Sequence, residues 1–493
     1  MFKKVALSLF VLLMAAHLHA QVVPYYGKNN VKYDTFKWKT YKTAHFEIYF
    51  YPESQQHLQR VASMAESSYD RISAYLQHDI EFRIPLIYFK TQSEFEQVNY
   101  LQISEGILGA AEPSYNRMAF AIDQPSDKLQ DLISHELTHV FEFSMLFGGV
   151  LSPIVRSSPP LWVMEGFADY MTNTWDPGDL QVVRDAVLTE RLPFVSVEQD
   201  MIYPGGTAEL GRAPYNVGHA VWDFIKARYG DAAIRQLWFY LKKSTLLGSE
   251  DVIYSALGVK EEEFNEQLSN YLRDRFKDYR EKQSPIDYGR EVPLPGKYFQ
   301  VFSQAPSPDG KRFAIMTANR EDYEFDILMI DRTGKVLDNI TGGLTTSYDY
   351  ITTDSYRFEG RNIAWSSDGR RLCYFARAGK RRSLFIADAT NGKRLKKINL
   401  KLDQAASPAL APDGRTVVVT ALENGQPDLF SIDVESGQYR RITNDQLFEK
   451  TPMYSPDGKW IFYTTRINSR DQLMRLDAAN TSHVEQLTDS DYN

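Results

Sequence analysis

The sequence predicts at least two domains: an α+β part that becomes helical towards its end, and an all-β region that follows it. The chain has 493 residues, more than one ordinary domain holds. In the mature part up to residue 290, segments with strand-like alternation and segments with helical spacing follow one another. From residue 291 to residue 493, one turn sequence recurs four times, each time followed by apolar strands. We therefore expect one domain over 21–290 and a second region over 291–493.

The first 20 residues have the layout of a secretory signal peptide. Lys3 and Lys4 precede an apolar stretch from Val5 to Ala16, and a small residue, Ala20, stands at the expected cleavage site. A membrane anchor fits less well, because the apolar stretch is shorter than the ~20 residues that a span requires. We expect an exported chain, in the periplasm or at the cell surface of a bacterium or secreted from it, without a transmembrane span in the mature protein.

Composition narrows the classes of function further. Cys373 is the only cysteine, so no disulfide can form within the chain. It stands in the strand-like segment RLCYFA, where a free cysteine is expected to be a small core residue rather than a nucleophile. The net charge is −8 and no basic stripe is visible, which argues against nucleic-acid binding.

The first domain combines strands rich in aromatic and β-branched residues with amphipathic helices. The pattern predicts strands at 45–52, 84–89 and 117–123, and helices at 56–76, 215–230, 231–243 and 261–282. A further helix is expected to start near Ser126, with Asp127 in its first turn, and it contains the segment ISHELTHVFE.

That segment predicts a metal site. His135 and His139 are four residues apart, so a helix presents both imidazoles on one face to one ion, and Glu136 lies beside them to hold a water. A catalytic zinc needs three protein ligands and an open fourth position. Glu142 lies about 4.5 Å further along the helix axis than His139. We therefore interpret Glu142 as solvated, or as a partner of a ligand, rather than as the third ligand.

Glu165 is the better candidate for the third ligand, in the segment PPLWVMEGFADY. His-Glu-x-x-His followed by Trp-x-x-Glu-Gly-x-Ala-x-Tyr resembles the gluzincin zinc peptidases, which include thermolysin and the zinc aminopeptidases. The resemblance covers about residues 30–275 and implies a gluzincin-type α+β fold with one catalytic Zn²⁺. It also implies that Glu165 is the third ligand and that Asp169 orients a ligand histidine.

Three further assignments follow from the same resemblance. APYNVGHAVWDFI is similar to the aminopeptidase Pro-Tyr-x-x-Gly helix, which implies that Tyr215 donates a hydrogen bond to the oxyanion. His219 is the second choice for that donor, and either residue could instead only pack the helix. Glu112 echoes the glutamate that captures a substrate amine in zinc aminopeptidases, although an ordinary loop carboxylate accounts for it better. The strand at 117–123 is expected to be the edge strand that pairs with substrate backbone.

The second region contains four repeats centred on turn glycines. Gly310, Gly369, Gly414 and Gly458 each follow an Asp, are spaced 59, 45 and 44 residues apart, and precede two apolar strands, the second of which ends in Asp. A period of this size predicts a four-stranded β-propeller blade. The repeats resemble the TolB-type relatives of WD-repeat propellers over about 295–493. Propellers of this type usually have six or more blades, so closure with four blades and continuation beyond residue 493 are both open.

Together these patterns predict an exported zinc peptidase joined to a propeller. In this interpretation Glu136 is the general base and acid for a zinc-activated water, a peptide or protein is the substrate, and the propeller binds that substrate or a protein partner. The alternative is a propeller-centred binding or scaffold protein whose peptidase-like domain is not catalytic.

Overall fold

A computed structural model describes most of the chain. The described residues are 32–97, 107–113, 115–147, 159–204, 212–247, 251–279, 289–321, 324–342, 348, 350–352, 361–445 and 447–489. The predicted signal peptide lies outside them. Within these segments, no helix is long and apolar enough to cross a membrane.

The first domain is built on one five-stranded sheet. Its strands are β1 (Lys39–Lys42), β2 (Phe46–Phe50), β3 (Ile84–Phe89), β4 (Gly109–Glu112) and β5 (Arg117–Ala121), in the order β1-β2-β3-β5-β4. The middle strands β2, β3 and β5 are parallel, whereas β1 and β4 are antiparallel to their neighbours. The edge-strand prediction for 117–123 is therefore wrong, because β4 forms a hairpin with β5 and occupies the edge. The hairpin partner was missed because GAAE is too short and too weakly apolar to be recognised as a strand.

Helices cover this sheet and continue beyond it. They are α1 (Leu58–Leu76), α2 (Gln92–Phe95), α3 (Ser126–Phe147), α4 (Leu161–Thr172), α5 (Pro177–Leu188), α6 (Ala213–Tyr229), α7 (Asp231–Leu247), α8 (Val252–Leu257) and α9 (Glu261–Arg275). The helix predicted over 261–282 ends early, at Arg275, and a short 3₁₀ turn follows it. One continuous apolar core joins the sheet with the long helices, including the large buried side chains Trp162, Trp222 and Phe141.

The second region consists of four antiparallel sheets in chain order. Their strands are β6 (Tyr298–Pro306), β7 (Arg312–Asn319), β8 (Phe325–Asp331) and β9 (Val336–Asn339) in the first; β10 (Tyr350–Ile351), β11 (Ile363–Trp365), β12 (Arg371–Ala378), β13 (Arg381–Asp388) and β14 (Arg394–Asn399) in the second; β15 (Gln404–Leu410), β16 (Thr416–Glu423), β17 (Gln426–Asp433) and β18 (Tyr439–Arg441) in the third; and β19 (Glu449–Tyr454), β20 (Trp460–Ile467), β21 (Arg470–Asp477) and β22 (Val484–Gln486) in the fourth. The region is thus a propeller-like array of four blades.

The repeated turn explains why every blade has the same shape. Each turn glycine has a positive φ, between 64° and 73°, which suits a residue without Cβ. In the fourth blade Ser455 Oγ donates to Asp457 Oδ1 at 2.6 Å, and Ser455 Oγ accepts from the backbone N–H of Trp460 at 3.0 Å. The predicted core position of Cys373 is confirmed, since its side chain is fully buried in β12.

Ion pairs connect the two regions. Arg466 in β20 donates to the carboxylate of Asp127, in the first turn of α3, with both N···O distances at 2.7 Å. Lys90, after β3, donates to Asp403, before β15, at 2.8 Å. The fourth blade therefore contacts the start of the helix that contains His135 and His139.

Candidate metal centre

Two histidines of α3 lie together as their spacing predicts. The Nε2 atoms of His135 and His139 are 3.3 Å apart, because residues four apart in a helix lie on one face. Their side chains are 16% and 10% exposed, so they are shielded from bulk water while remaining accessible from one side.

Helix α4 adds a carboxylate to this pair. Glu165 Oε2 lies 3.4 Å from His135 Nε2 and 3.2 Å from His139 Nε2. We call His135, His139 and Glu165 the histidine cluster. Zinc–ligand distances of 2.0–2.1 Å in tetrahedral geometry place ligand atoms about 3.3 Å apart, so the three donor atoms have the separations that one Zn²⁺ requires.

A close helix crossing brings Glu165 to this position. At Gly166, a Cβ would lie 2.5 Å from the backbone of Gly218 in α6, and at Gly218 a Cβ would lie 2.5 Å from the carbonyl oxygen of Trp162. Only glycine at both positions lets α4 and α6 approach so closely. The glycines of the Glu-Gly and Pro-Tyr-x-x-Gly segments therefore determine how Glu165 and Tyr215 face the histidines.

Each histidine has a carboxylate partner on its other ring nitrogen. Asp169 Oδ1 lies 2.9 Å from His135 Nδ1, and Glu142 Oε2 lies 2.7 Å from His139 Nδ1. A carboxylate that holds the proton on Nδ1 directs Nε2 towards the shared position, where a metal ion would take the place of the second proton. Glu142 is fully buried, so of the two alternatives left open for it, the structure supports the partner of a ligand and not the solvated side chain.

The charges in the centre depend on one another. Burial lowers the pKa of His135, but hydrogen bonds with Asp169 and Glu165 outweigh burial and raise the pKa to about 9. Burial raises the pKa of Glu165, but His139 and His135 outweigh it and hold the pKa well below its usual range. The protein thus keeps the Glu165 carboxylate ionised in a buried place, as a metal ligand must be.

Arg212 forms an ion pair with Asp169, the carboxylate partner of His135. Its Nη2 lies 3.4 Å from Asp169 Oδ2, and its Nε donates to Asp179 Oδ1 at 3.2 Å. Burial raises the pKa of Asp169, but the hydrogen bond with His135 and the charges of His135 and Arg212 lower it further than burial raises it. This side chain was not predicted, because nothing in its sequence context links it to a residue 43 positions away.

Glu136 faces the edge strand. Its side chain is buried, and a Cβ added to Gly109 in β4 would lie 2.6 Å from Glu136 Oε1. Gly109 therefore leaves the space that the Glu136 carboxylate occupies. Burial raises the pKa of Glu136 and outweighs the opposing effects of His135 and His139.

Tyr215 lies beside the histidines. Its ring is stacked on that of His135 with centroids 6.3 Å apart, and the Arg212 guanidinium lies 5.1 Å from its ring centroid. Burial raises the pKa of Tyr215 and the charge of Glu165 raises it further, so the hydroxyl stays protonated and can donate. The structure thus brings this predicted residue next to the cluster; its role stays a prediction.

The two remaining candidates have other contacts. The His219 ring stacks on Trp175 with centroids 3.8 Å apart, so helix packing accounts for its position. The carboxylate of Glu112 accepts a hydrogen bond from Arg117 Nε at 2.6 Å, across the β4–β5 hairpin. These contacts favour helix packing for His219 and an ordinary, non-catalytic carboxylate for Glu112.

Comparison with known proteins bears on the propeller. Residues 361–493, about a quarter of the chain, match the family described as the TolB beta propeller domain. The described residues within this range form a TolB-like β-propeller region. That part of the prediction is confirmed, whereas the gluzincin fold of the first domain stays a prediction.

Individual relatives match short stretches. An uncharacterized protein of Agrobacterium fabrum is 33% identical over 82 residues, which is 17% of this chain and 28% of the relative. The Tol-Pal system protein TolB of Francisella tularensis subsp. holarctica is 29% identical over 87 residues, 18% of this chain and 20% of the relative. The chain thus matches less than a third of the length of these curated relatives.

Two solved structures show a partial likeness. A putative TolB from Agrobacterium tumefaciens matches with a TM-score of 0.31 and 20% identity, over 39% of this chain and 64% of that one. TolB from Acinetobacter baumannii matches with a TM-score of 0.30 and 21% identity, over 38% of this chain and 43% of that one.

Proposed function

We propose that the chain is an exported zinc-dependent peptidase joined to a TolB-like propeller. The observation that carries the proposal is the geometry of the histidine cluster, whose three donor atoms have the separations of tetrahedral zinc ligands. The family match lies within the propeller and does not bear on the first domain.

The donor set fits a catalytic zinc. Two imidazole nitrogens and one carboxylate oxygen are the ligands of the thermolysin type of site, and three protein ligands leave one position open. When bound there, Zn²⁺ supplies Lewis acidity and lowers the pKa of a water. Asp169 and Glu142 fix the orientation and tautomer of the two histidines, so the site is organised before an ion arrives.

Glu136 is the proposed proton carrier. It accepts the proton of the attacking water and delivers it to the leaving amine, as a general base and then a general acid. Its burial and its position beside Gly109 hold the carboxylate between the cluster and the sheet edge. Tyr215 is the proposed donor to the oxygen on which negative charge develops.

The edge strand β4 offers a place for the substrate backbone. Among the described residues β4 pairs with β5 alone, so its outer edge can take an extended peptide as an added strand. A peptide that pairs with β4 runs past Gly109 and therefore past Glu136. We expect the backbone of such a peptide to lie near the proton carrier.

The test is a Glu136→Gln variant, measured for zinc content and for digestion of a peptide library. We expect about one zinc per chain in both proteins and a loss of cleavage of about 10²–10⁴-fold in the variant, the usual contribution of general acid–base catalysis. Glu53→Gln, at an exposed position in the same domain, is the control and should behave as wild type. A variant that cleaves peptides as fast as wild type contradicts the proposal.

A second candidate function is protein binding by the propeller, with a first domain that is not catalytic. The family match supports this function, because the match lies in the propeller. A cleft of about 770 Å³ on the first blade gives it a location. Its lining includes the apolar side chains Val301, Phe313, Ile315 and Ile330 and the basic side chains Arg290, Arg332 and Arg361. An acidic segment with apolar anchors is the partner that such a lining fits.

One set of measurements on the full chain distinguishes the two candidate functions. Wild-type protein that holds one zinc but cleaves no peptide in the library argues against the peptidase. A protein partner that wild type retains, and that the Arg332→Glu/Arg361→Glu variant releases, then supports the binding function. Cleavage that depends on Glu136 supports the peptidase.

A further inference from the structure

A second group of potential metal ligands lies where the third and fourth blades meet. Asp428 belongs to β17, Asp445 to the loop after β18, and Glu449 begins β19. Each offers one carboxylate oxygen, and these three oxygens lie within 4.8 Å of one another. We call these three residues the carboxylate cluster.

Arg441, the cation beside this cluster, pairs with two carboxylates at once. Arg441 Nη1 contacts Asp428 Oδ2, and Arg441 Nη2 donates to Glu423 Oε2 at 2.9 Å. The other oxygen of Asp428 accepts from Thr443 Oγ1 at 3.2 Å and from the backbone N–H of Asp445 at 3.3 Å. The single positive charge of Arg441 is thus divided between Asp428 and Glu423 and cannot neutralise both carboxylates.

Glu449 is the member that points to a ligand. The residue is 1% exposed, and its Oε2 atom is buried without a hydrogen-bond partner among the described residues. A buried carboxylate oxygen without a partner is costly, so a bound group at this position is expected to satisfy it.

We propose that Asp428, Asp445 and Glu449 bind a hard divalent cation, Ca²⁺. The donor set consists of carboxylate oxygens alone, which hard cations prefer and which differs from the nitrogen-rich set in the first domain. Two backbone segments supply the ligands, β17 and the connection from β18 into β19, and such a set suits the flexible coordination of Ca²⁺ better than the strict octahedron of Mg²⁺. Asp445 is exposed and gives the ion an entry path and room for water ligands.

The ion would join two blades. Asp428 belongs to the third blade and Glu449 to the first strand of the fourth, so one cation links the two sheets. A ligand that binds only the folded form stabilises it in proportion to the logarithm of its concentration above Kd. Calcium should therefore raise the unfolding temperature of the full chain.

The test uses the full-length protein with zinc kept in the buffer and calcium removed with EGTA. Calorimetric titration with CaCl₂ should show one binding site per chain, and thermal unfolding should shift upward with added Ca²⁺. Glu449→Gln removes one of three charged ligands and should weaken binding by at least about tenfold, since ligand charge count tunes calcium affinity. Glu435→Gln, whose side chain is 97% exposed in the same blade pair, should bind as wild type.

Further variants keep the test decisive. Asp445→Asn changes an exposed residue, so it decides the matter if Glu449→Gln does not fold. His139→Ala should retain calcium, because the histidine cluster belongs to the other domain. The proposal is overturned if wild type binds no Ca²⁺ at millimolar concentration, if Asp445→Asn binds it as wild type does, or if folded His139→Ala loses it.

Discussion

The histidine cluster of the first domain and the carboxylate cluster of the propeller differ in their donors and in how those donors are held. The first offers two nitrogens and one oxygen, and the second offers oxygens only. In the first, a carboxylate holds the second nitrogen of each histidine. In the second, Glu449 is itself a candidate ligand and has a buried oxygen without a partner among the described residues, whereas in the first the oxygen in that situation belongs to Glu142, the partner of a ligand.

The side chains of the histidine cluster are therefore held in place without an ion, whereas the carboxylate cluster would need an ion to balance its charges. Ligands held by second partners change little when a metal binds, which suits chemistry that needs fixed geometry. Carboxylates that repel one another gain most from the ion itself, which suits a structural role. The two regions therefore should respond to different metals and to different substitutions.

The largest expected effect on metal binding is the loss of zinc from His139→Ala with calcium binding unchanged. A binding free energy of ~10–16 kcal/mol over the four ligands of a structural zinc site corresponds to roughly 2.5–4 kcal/mol per ligand, or about 10²–10³-fold in affinity. Metal analysis and calcium titration on the same preparation measure both sites. Equal loss of both ions would show that the two clusters are not independent.

The next effect concerns Tyr215. Removing one oxyanion donor typically lowers kcat by about 10²–10³-fold, so we expect this loss in Tyr215→Phe, with KM nearly unchanged. Zinc content should stay the same, because Tyr215 is not among the three ligands. Tyr254→Phe, at a position 56% exposed in the same domain, is the control. A rise in KM alone would assign Tyr215 to substrate binding instead.

The propeller could be predicted from sequence far more completely than the candidate metal centre. The turn glycines and the aspartates that end the second strands recur in every blade. Each blade can therefore be recognised from a local pattern in its own sequence. Asp433, for example, ends β17 and accepts from the N–H of Ser436 three residues later. In the first domain, the His-Glu-x-x-His segment and Glu165 were found by pattern.

What the sequence could not reveal depends on distant contacts. Arg212 reaches Asp169 across 43 residues, and Gly109 makes room for Glu136 from another element. Neither pairing has a local pattern. The carboxylate cluster was missed for the same reason, since β17 and β19 place Asp428 and Glu449 together only when the blades pack.

The third prediction tests the helix crossing under the histidine cluster. Gly218→Ala places a Cβ 2.5 Å from a backbone carbonyl of α4, so the helices must separate, at a cost of about 3 kcal/mol in the free energy of unfolding. Urea denaturation measures it. Gly178→Ala, also in a helix, meets only a side-chain oxygen at 3.3 Å and should change stability little. Equal stability of both variants would show that the crossing is not tight.

The fourth prediction concerns the residue that holds His135. Asp169→Asn keeps the shape of the side chain but removes its charge, and loss of such a partner typically lowers metal affinity by about 10–100-fold. Competition with a zinc chelator measures the affinity. Asp185→Asn, at an exposed position on α5, is the control. An unchanged zinc affinity in Asp169→Asn would mean that Asp169 contributes only to packing.

The smallest expected effect comes from the ion pair between Arg466 and Asp127, which connects the two regions. Burial raises the pKa of Asp127, but the hydrogen bond and charge of Arg466 outweigh it and lower the pKa below its usual 3.8. A lowered folded-state pKa means that the pair stabilises the protein above about pH 4 and that this contribution disappears as the pH falls through the folded-state value. Asp127→Asn should therefore cost about 0.5–1 kcal/mol at pH 7, the range of a partly exposed ion pair, and nothing at a pH low enough to protonate Asp127. Urea denaturation of wild type and variant at both pH values measures the difference. A cost that persists in acid would show that Asp127 contributes by something other than its charged pair with Arg466.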